Sequence, residues 1–332
     1  MRTVRWGWLK SKKTARKIII WLLIIVWGVI AYLGWRQTTD AGQSLKTITI
    51  GYQAGDEFDI SKTRGKFVKQ MKAKGYDVKF KEFQNGSAEM QALANGSIDY
   101  ARIGDTPGIT ALASGTKLTY VAAGASKANG SGILVKKNSG INSLSDLKGK
   151  TIAYTKGTSS EYMVRKALQK AGLSADDVTL KSLDQSAAAV AFAKGKVDAW
   201  ANWDPATSQA EVTENAKLLV NGAKLGVNNR SFIVSPTSFA QKNKAVTKLI
   251  IKYSNEDMQW ANQNKAKLVT MMQKKLKLKK KVVEKMVNRR SYSMTKMNST
   301  AVNELQDIAN LFYKNGVIKQ KVQVKDHVQY LN

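Results

Sequence analysis

One segment of the chain occurs twice, and this repetition constrains the fold more than any other feature. The stretch DVKFKEFQNGSAEMQALANGSIDYARIGDTP starts at Asp77 and is matched by DVTLKSLDQSAAAVAFAKGKVDAWANWDP, which starts at Asp177. In each copy a β-prone run leads into an Ala-rich helical run, a Gly-containing turn and a second strand that begins after Asp99 or Asp198. Chance similarity between Ala-rich helices is the alternative. A unit of this length that occurs twice favours two duplicated lobes over a solenoid.

Residue composition excludes several classes of catalytic and metal site. The chain has 332 residues, no cysteine and a single histidine, His327. Without cysteine there are no disulfides, thiolate metal sites, cysteine nucleophiles or lipid-modified lipoprotein cysteine. One histidine cannot build a His-based triad or a multi-His metal site within one chain. We therefore expect no catalytic residue, no metal and no cofactor.

The chain is strongly basic. It has 54 Lys and Arg against 24 Asp and Glu, a formal net charge of +30. Such a field suits an anionic surface, whether lipid, wall polymer or nucleic acid, and does not distinguish among them. The densest positive run, KKLKLKKK at 274–281, is more typical of a solvated helix face than of a dedicated patch. Because no aromatic residues are interleaved with it, we do not expect nucleic acid as a partner.

An apolar run near the N-terminus predicts a membrane segment. Residues 18–35, IIIWLLIIVWGVIAYLGW, carry no charge and follow a basic segment at 1–17. At about 1.5 Å rise per residue, such a helix nearly spans the roughly 30 Å hydrocarbon core. The preceding basic flank predicts a cytoplasmic N-terminus and an exported body. We predict an uncleaved signal anchor, with a cleavable signal peptide as the alternative, and a polar linker over 36–45.

Two further strands are predicted to connect the lobes. The segment 132–136, GILVK, lies between the two copies, and 231–234, SFIV, follows the second copy. Taken as hinge crossings, these strands divide the body into lobe 1, residues 46–131 plus 235–332, and lobe 2, residues 132–234. The part of the chain after the second crossing is predicted to be mainly helical.

The stretch TIAYTKGTSSEYMVRKAL, residues 151–168, predicts a strand, a polar loop and a helix. Thr158 or Ser159 is expected to cap the helix, and Gly157 allows close approach of the backbone. First-turn N–H groups and hydroxyls beyond a strand end make a site for an anion. An ordinary capped helix without a ligand is the alternative. A Walker phosphate loop is excluded, because no Gly-Lys-Ser/Thr triplet follows.

In open α/β sheets, ligands bind beyond the carboxyl ends of the strands. Applied to the predicted strands, this rule selects loop residues that are nearly all neutral donors at helix starts, together with an aromatic wall. They are Tyr52, Gln53, Asn85, Gly86, Ser87, Gly104, Asp105, Thr106, Gly157, Thr158, Ser159, Asp184, Gln185, Trp203 and Asp204. Such a set suits a small polar anion held by dipoles without a fixed cation. Turn or cap roles are the alternative for the carboxylates Asp105 and Asp204.

Three segments together resemble the substrate-binding proteins of ABC importers for aliphatic sulfonates, taurine and nitrate. They are GSAEMQALANGSIDYARIGDTPGITALASGTKLTYVA, INSLSDLKGKTIAYTKGTSS and GKVDAWANWDP. The resemblance implies the type II periplasmic-binding fold, an α/β fold of two lobes with a cleft between them, here preceded by one N-terminal transmembrane helix. It also implies that loops 104–106, 158–159 and 203–204 line the cleft.

The resemblance further implies capture and delivery of a ligand without chemistry. A small anionic or zwitterionic ligand, with an aliphatic sulfonate favoured, is expected to meet Thr106, Thr158 and Ser159 at its anion end and Trp203 along its aliphatic part. Asp105 and Asp204 would hold loops, or pair with an ammonium. An ABC permease is the implied partner of a monomer anchored at the extracytoplasmic face of the cell membrane.

Two alternatives belong to other functional classes. One is an enzyme on the same fold, of the kind that forms the thiamin pyrimidine. The other is a basic membrane-anchored protein that adheres to wall polymer.

Three features depart from the family pattern. Glu161 stands where the family commonly has His or another neutral residue, and Gly108 stands where a second Pro often follows Pro107. If Glu161 faces the cleft, it would oppose a doubly charged anion and favour a zwitterion or a cationic group. Otherwise it only complements the helix dipole. The missing lipoprotein cysteine is the third departure, and the N-terminal anchor would replace it.

Overall fold

The structure is a computed structural model that describes residues 17, 20–32 and 45–331. The chain divides into two compact units, Met1–Lys46 and Thr47–Asn332. In the first unit, residues 20–32 form an exposed helix. Among the described residues, no helix combines the length and apolar character needed to cross a membrane. The predicted segment 18–35 is only partly described, and nearly all of the predicted basic segment and linker lie outside the described residues.

The second unit alternates strands and helices along most of its length. In chain order the strands are β1 Lys46–Gln53, β2 Tyr76–Phe83, β3 Tyr100–Ile103, β4 Leu118–Gly124, β5 Ser131–Lys136, β6 Thr151–Tyr154, β7 Thr179–Ser182, β8 Ala199–Trp203, β9 Ala216–Asn221, β10 Phe232–Pro236 and β11 Met294–Lys296. The α-helices are α1 Glu57–Arg64, α2 Lys66–Lys72, α3 Gly86–Ala94, α4 Pro107–Ala113, α5 Ser159–Ala171, α6 Gln185–Ala193, α7 Ala206–Thr213, α8 Gly222–Leu225, α9 Thr237–Lys242, α10 Lys244–Gln263, α11 Lys265–Leu276, α12 Lys280–Asn288 and α13 Ser299–Lys314.

The strands form two sheets of the same plan. Sheet A has six strands in the order β11-β4-β10-β3-β1-β2, and sheet B has five in the order β7-β6-β8-β5-β9. Strands β2, β1, β3, β10 and β4 of sheet A therefore correspond to β7, β6, β8, β5 and β9 of sheet B. In both sheets the inner pair is parallel, β1 with β3 and β6 with β8, and the next strand is antiparallel. The duplication predicted from the repeat is confirmed.

Matched aspartates begin the second strand of each copy in the same way. The backbone N–H of Asp99 donates to the carbonyl of Thr49 at 2.8 Å, and its Oδ2 accepts from the Thr49 N–H at 2.7 Å. Asp198 makes the same two bonds with Thr151, at 2.9 and 2.8 Å. Each aspartate thus satisfies both backbone groups of one residue on the neighbouring parallel strand, which sets where pairing begins.

The strands predicted as crossings between lobes each belong to a single sheet. The GILVK segment is β5, inside sheet B, and the SFIV segment begins β10, inside sheet A. The chain passes from one sheet to the other over residues 125–130 and returns over 222–231. We call these segments the first crossing and the second crossing. They adjoin the strands predicted for this role.

Both faces of each sheet are buried at the inner strands. Successive residues on a strand point to opposite faces, so Phe232 of β10 packs in one apolar cluster and Ile233 in another. In β5, Ile133 and Leu134 divide in the same way. Full burial of one such side chain stabilises the fold by about 1.5–3 kcal/mol. Strands fixed on both faces hold the loops at their ends in defined positions, and those loops form the site.

Candidate functional site

A small cavity lies where loops from the two sheets and both crossings meet. Its lining residues are Gln53, Arg102, Gly104, Pro107, Lys127, Thr158, Ser159, Trp203 and Asn229. We call this space the cleft cavity. It brings together five of the residues that the strand-end rule selected, namely Gln53, Gly104, Thr158, Ser159 and Trp203.

A larger space, which we call the cleft groove, adjoins this cavity. The groove has a volume of about 660 Å³ and shares Gln53 and Trp203 with the cavity. Its lining also includes the predicted residue Gln185 and the apolar side chains Phe83 and Leu276. Because the two spaces meet at Trp203, the arrangement suits a ligand with a polar head and an apolar tail.

The start of α5 supplies hydroxyl groups to the cavity. Thr158 has extended backbone geometry and caps the helix, since its Oγ1 accepts from the Ser160 N–H at 3.3 Å. The Thr158 hydroxyl also donates to the Thr155 carbonyl at 2.7 Å. The next residue, Ser159, donates its hydroxyl to Oδ1 of Asp105 at 2.6 Å. The prediction that Thr158 or Ser159 caps this helix is confirmed for Thr158.

Two predicted carboxylates make contacts from one sheet to the other. Asp105 follows β3 of sheet A and accepts from Ser159, which follows β6 of sheet B. Asp204 follows β8 of sheet B and accepts from Arg289, which follows α12, with Nε to Oδ2 at 2.7 Å. Arg289 also donates to Glu211 of α7 at 2.6 Å. These contacts favour a loop-holding role for both aspartates over pairing with a ligand ammonium.

Two buried cations line the cavity, so the expectation of an anion site without a fixed cation is wrong. Arg102 is already neutralised, because its Nε donates to Glu57 at 2.5 Å and lies 3.5 Å from Asp56. Lys127 is 8% exposed and forms no ion pair with any residue in the described range 45–331. Burial, together with repulsion from Arg102, lowers the pKa of Lys127 to about 7. A group of this kind changes charge near neutral pH.

Glu57 is the carboxylate that binds the two arginine side chains behind the cavity. Besides Arg102, it accepts from Arg290 at 2.7 Å and from the Ser231 hydroxyl at 3.0 Å. Burial alone would raise the pKa of Glu57, but Arg102 and Arg290 hold that pKa well below its usual range. The Glu57 carboxylate therefore stays ionised, and its contacts join α1, β3, the second crossing and the end of α12 behind the site.

Neither Arg102 nor Lys127 was selected from the sequence. Arg102 lies inside β3, whereas the strand-end rule selects the residues that follow a strand. Lys127 lies in a polar loop, and in a chain with 54 Lys and Arg no sequence signal distinguishes it from a surface lysine. Only its burial beside the cleft cavity separates Lys127 from the others.

Several other predicted residues lie outside the cleft cavity. The Tyr52 hydroxyl donates to Glu82 at 2.7 Å, and its ring packs in a core cluster of sheet A. Asn85 caps α3 by accepting from the Ser87 N–H at 3.1 Å. A separate pocket is lined by Asn85, Ser87 and Asp184.

The remaining predicted residues shape the loops around the cavity. The Thr106 hydroxyl is buried and donates to Asp105 at 2.9 Å. Gly86 packs so closely on Pro107 that a Cβ there would lie 2.6 Å from the proline ring. The Gly157 carbonyl accepts from the Ser87 hydroxyl at 3.3 Å, a further contact between the two sheets' loops.

Two of the three departures from the family pattern, Glu161 and Gly108, have a local explanation. Oε2 of Glu161 accepts from the Gly157 N–H at 2.8 Å, and Glu161 is not among the residues lining the cleft cavity. Glu161 therefore closes its own loop and does not oppose an anion in the cavity. At Gly108, any Cβ would clash with the hydroxyl of Tyr120, so the buried tyrosine requires glycine there.

Comparison with known proteins gives consistent matches. The NMT1/THI5-like family model matches residues 71–268. The aliphatic sulfonates-binding protein of Bacillus subtilis strain 168 is 31% identical over 308 residues, which cover 92% of this chain and 93% of that protein.

Two solved structures extend the similarity to the fold. The periplasmic aliphatic sulphonate binding protein SsuA from Escherichia coli superposes with a TM-score of 0.80 at 30% identity, covering 87% of this chain and 94% of that chain. The alkanesulfonate-binding protein SsuA from Xanthomonas axonopodis pv. citri, bound to MOPS, superposes with a TM-score of 0.81 at 30% identity. This match covers 85% of this chain and 98% of that chain. The expected α/β periplasmic-binding fold is confirmed, and it contains two sheets.

Proposed function

The chain belongs to the NMT1/THI5-like family, and from this membership we propose that it is an extracytoplasmic solute-binding protein that captures an aliphatic sulfonate and delivers it to an ABC permease. The aliphatic sulfonate relatives, which are 30–31% identical to this chain, carry the names of binding proteins. The observation that carries the proposal is the cleft cavity, in which buried donors from both sheets converge on one small space.

In this proposal the sulfonate head occupies the cleft cavity, and its aliphatic tail passes Trp203 into the cleft groove. Sulfonate oxygens accept hydrogen bonds, so Ser159 and Thr106 would turn their hydroxyls from Asp105 towards the ligand. Thr158 would stay as the helix cap beside them. The first-turn dipole of α5 adds a favourable field for the negative charge.

Ligand entry requires the two sheets to separate. The cleft cavity has a volume of only about 20 Å³, room for about one water molecule and too little for a sulfonate group. We therefore infer that sheets A and B are the cores of two lobes, residues 46–131 plus 235–332 and residues 132–234. Their hinge would be the two crossings. Opening would break the contacts of Asp105 with Ser159 and of Asp204 with Arg289, and a ligand that bridges the lobes would favour the closed state.

We also infer how the protein is held at the membrane. The uncharged run over residues 18–35 supports an N-terminal anchor, with the body on the extracytoplasmic face of the cell membrane. A monomer suits this arrangement, since both lobes must be free to dock on a permease. The anchor would replace the lipid-modified cysteine, which this chain lacks.

A ligand panel tests the proposed function. The detergent-solubilised protein is heated with ethanesulfonate, butanesulfonate, taurine, nitrate or sulfate at fixed ionic strength. A specific ligand at a hundred times its Kd adds about 2.7 kcal/mol, which raises Tm by several degrees. We expect an alkanesulfonate to act and sulfate not to. No shift with any compound, or the same shift with every anion, would contradict the proposal.

A double variant tests the hydroxyl assignment. Thr158→Ala with Ser159→Ala should weaken butanesulfonate binding by roughly tenfold or more, because the variant loses the Ser159 donor to the head group and the Thr158 cap that holds the start of α5 beside it. The matched control removes the exposed hydroxyl pair Ser143 and Ser145, which bond each other at 2.8 Å away from the cavity. Isothermal titration calorimetry measures both variants, and equal affinities would remove Thr158 and Ser159 from the site.

A further inference from the structure

Lys127 is held firmly in place at the boundary between the lobes. Its backbone N–H donates to the carbonyl of Asn228 on the second crossing at 2.9 Å. Its carbonyl accepts from the Ser131 hydroxyl, at the start of β5, at 3.1 Å. The residue is 8% exposed and lines the cleft cavity. The two crossings thus hold the backbone of Lys127, and its buried side chain lines the cavity proposed for the ligand head.

The charged groups that face Lys127 do not neutralise it. Arg102 of β3 and Arg290 after α12 repel its ammonium, while Glu57 of α1 and Asp105 after β3 attract it. Glu57 is shared by the two arginines. Asp105 accepts two hydroxyls on one oxygen and lies beyond ion-pair distance of Lys127. Burial of an ammonium without a partner is costly, so this position calls for an anion that the described residues do not supply.

Arg102 is the other cation in the cavity, and its interactions differ. Its guanidinium bonds Glu57 and the Ser231 hydroxyl and lies near Asp56. The carboxylates of Glu57 and Asp56 balance the charge of Arg102, so Arg102 has little net charge to offer a ligand. Lys127 is the cavity cation that forms no ion pair within residues 45–331.

We propose that Lys127 supplies the positive charge that binds the anionic head group in the cleft cavity and thereby selects charged sulfonates over uncharged analogues of the same shape. This inference rests on the proposed function, because it names the residue that would select its ligand. It assigns to the first crossing a direct role in recognition, besides that of a hinge.

Proton uptake follows from this assignment. In the free protein the pKa of Lys127 is about 7, and an adjacent anion raises that pKa. At pH 8 the free lysine is mostly neutral, so ligand binding takes up a proton. Affinity for a sulfonate then falls as pH rises above 7, by up to about tenfold per pH unit.

Calorimetry on the full chain in detergent tests the proposal with butanesulfonate and its uncharged analogue butanesulfonamide. Lys127→Met should weaken butanesulfonate binding at pH 7 by roughly tenfold to a hundredfold and leave butanesulfonamide binding within about threefold. Lys127→Arg should retain the preference for the charged ligand. The matched control is Lys156→Met, since Lys156 is exposed two residues before Thr158 and does not line the cavity. It should change either affinity less than about threefold.

Titrations at pH 8 in phosphate and in Tris, whose ionisation enthalpies differ, measure proton uptake by the unmodified chain. We expect close to one proton per butanesulfonate in that chain and none in Lys127→Met. The inference is overturned if the two chains bind butanesulfonate equally, or if proton uptake persists without Lys127. It is also overturned if the unmodified chain binds butanesulfonate without taking up a proton. This last measurement does not depend on whether any variant folds. If the unmodified chain binds no sulfonate, the proposed function fails as well.

Discussion

Asp105 and Asp204 occupy equivalent positions in the two copies of the repeat, and each makes a contact across the cleft, but their partners differ. Asp105 accepts hydroxyl hydrogen bonds from Ser159 and Thr106. Asp204 accepts from the guanidinium of Arg289. One contact is therefore made by neutral donors and the other by an ion pair. The repeat determines where a carboxylate stands, and the residue that meets it from the opposite side determines its electrostatic role.

This difference matters for the lysine between the lobes. Asp105 accepts hydrogen bonds from hydroxyls, so its contact does not place a further guanidinium beside Lys127. The ammonium group of Lys127 therefore keeps its N–H donors available for a ligand. At the other contact, Arg289 is neutralised by Asp204 and Glu211 and has no charge to offer a ligand. We infer that the ionic contact mainly holds the cleft closed, while the neutral contact lies beside the residues that bind.

The largest expected effect is on the ionic contact. Arg289→Ala leaves Asp204 and Glu211, whose side chains are 6% and 14% exposed, without their main cation. Removal of one partner from a buried ion pair typically costs about 3–5 kcal/mol. We expect urea denaturation to show a free energy of unfolding lower by about 4 kcal/mol.

A neighbouring lysine is the matched control for that variant. Lys285 lies 3.2 Å from Glu211, but its side chain is 41% exposed. Exposed ion pairs contribute about 0–1 kcal/mol, so Lys285→Ala should cost less than about 1 kcal/mol. Equal losses from the two variants would mean that burial does not distinguish the contacts, which would break the comparison.

Much of the fold was predictable because the repeat marks it directly. Asp99 and Asp198 stand out in an aligned pair of segments, and each proves to begin a strand by bonding the residue opposite. Two copies of one strand–helix–strand unit imply two sheets of one plan. The exact crossings were less predictable, because β5 and β10 are apolar strands that sequence alone assigns to no particular sheet.

The site was predictable in its polar loops and not in its charges. The strand-end rule found Ser159 and Trp203, because helix starts and aromatic residues after strands are visible in sequence. It missed Lys127 and the partner of Asp204, Arg289, which stands 85 residues away. Contacts of this separation depend on how the lobes pack, and no local pattern encodes them.

A second prediction concerns the free energy of unfolding, which the buried ammonium of Lys127 lowers. The pKa of Lys127 is about 7 in the folded protein and about 10.4 when unfolded. Between these values the unfolded state binds more protons, so stability rises with pH from about 7 to 10. The cost is fully present below pH 7 and vanishes above the unfolded value.

Lys127→Met removes this cost. We expect the free energy of unfolding of the ligand-free protein to rise by up to about 4 kcal/mol at pH 7, with the gain shrinking as pH approaches 10. Urea denaturation at pH 6, 7, 8.5 and 10 measures it. The exposed control Lys156→Met should show no such pH dependence. A loss of stability at pH 7 would contradict the picture of an ammonium left available for a ligand at the expense of stability.

The smallest effect comes from comparing the two aspartates themselves. In Asp204→Asn, Arg289 loses its charged partner and keeps only Glu211, which should cost about 2 kcal/mol, as expected for a hydrogen bond to a charged group. In Asp105→Asn, the amide oxygen can still accept from Ser159 and Thr106, and a buried charge is removed. Burial raises the pKa of Asp105, so its charge is itself costly, and we expect a change below about 1 kcal/mol. Urea denaturation of both variants at pH 7 measures the two changes in the free energy of unfolding. Equal costs would mean that both contacts depend on charge, and that hydroxyl donors alone do not explain why the Lys127 side of the cleft is free to bind.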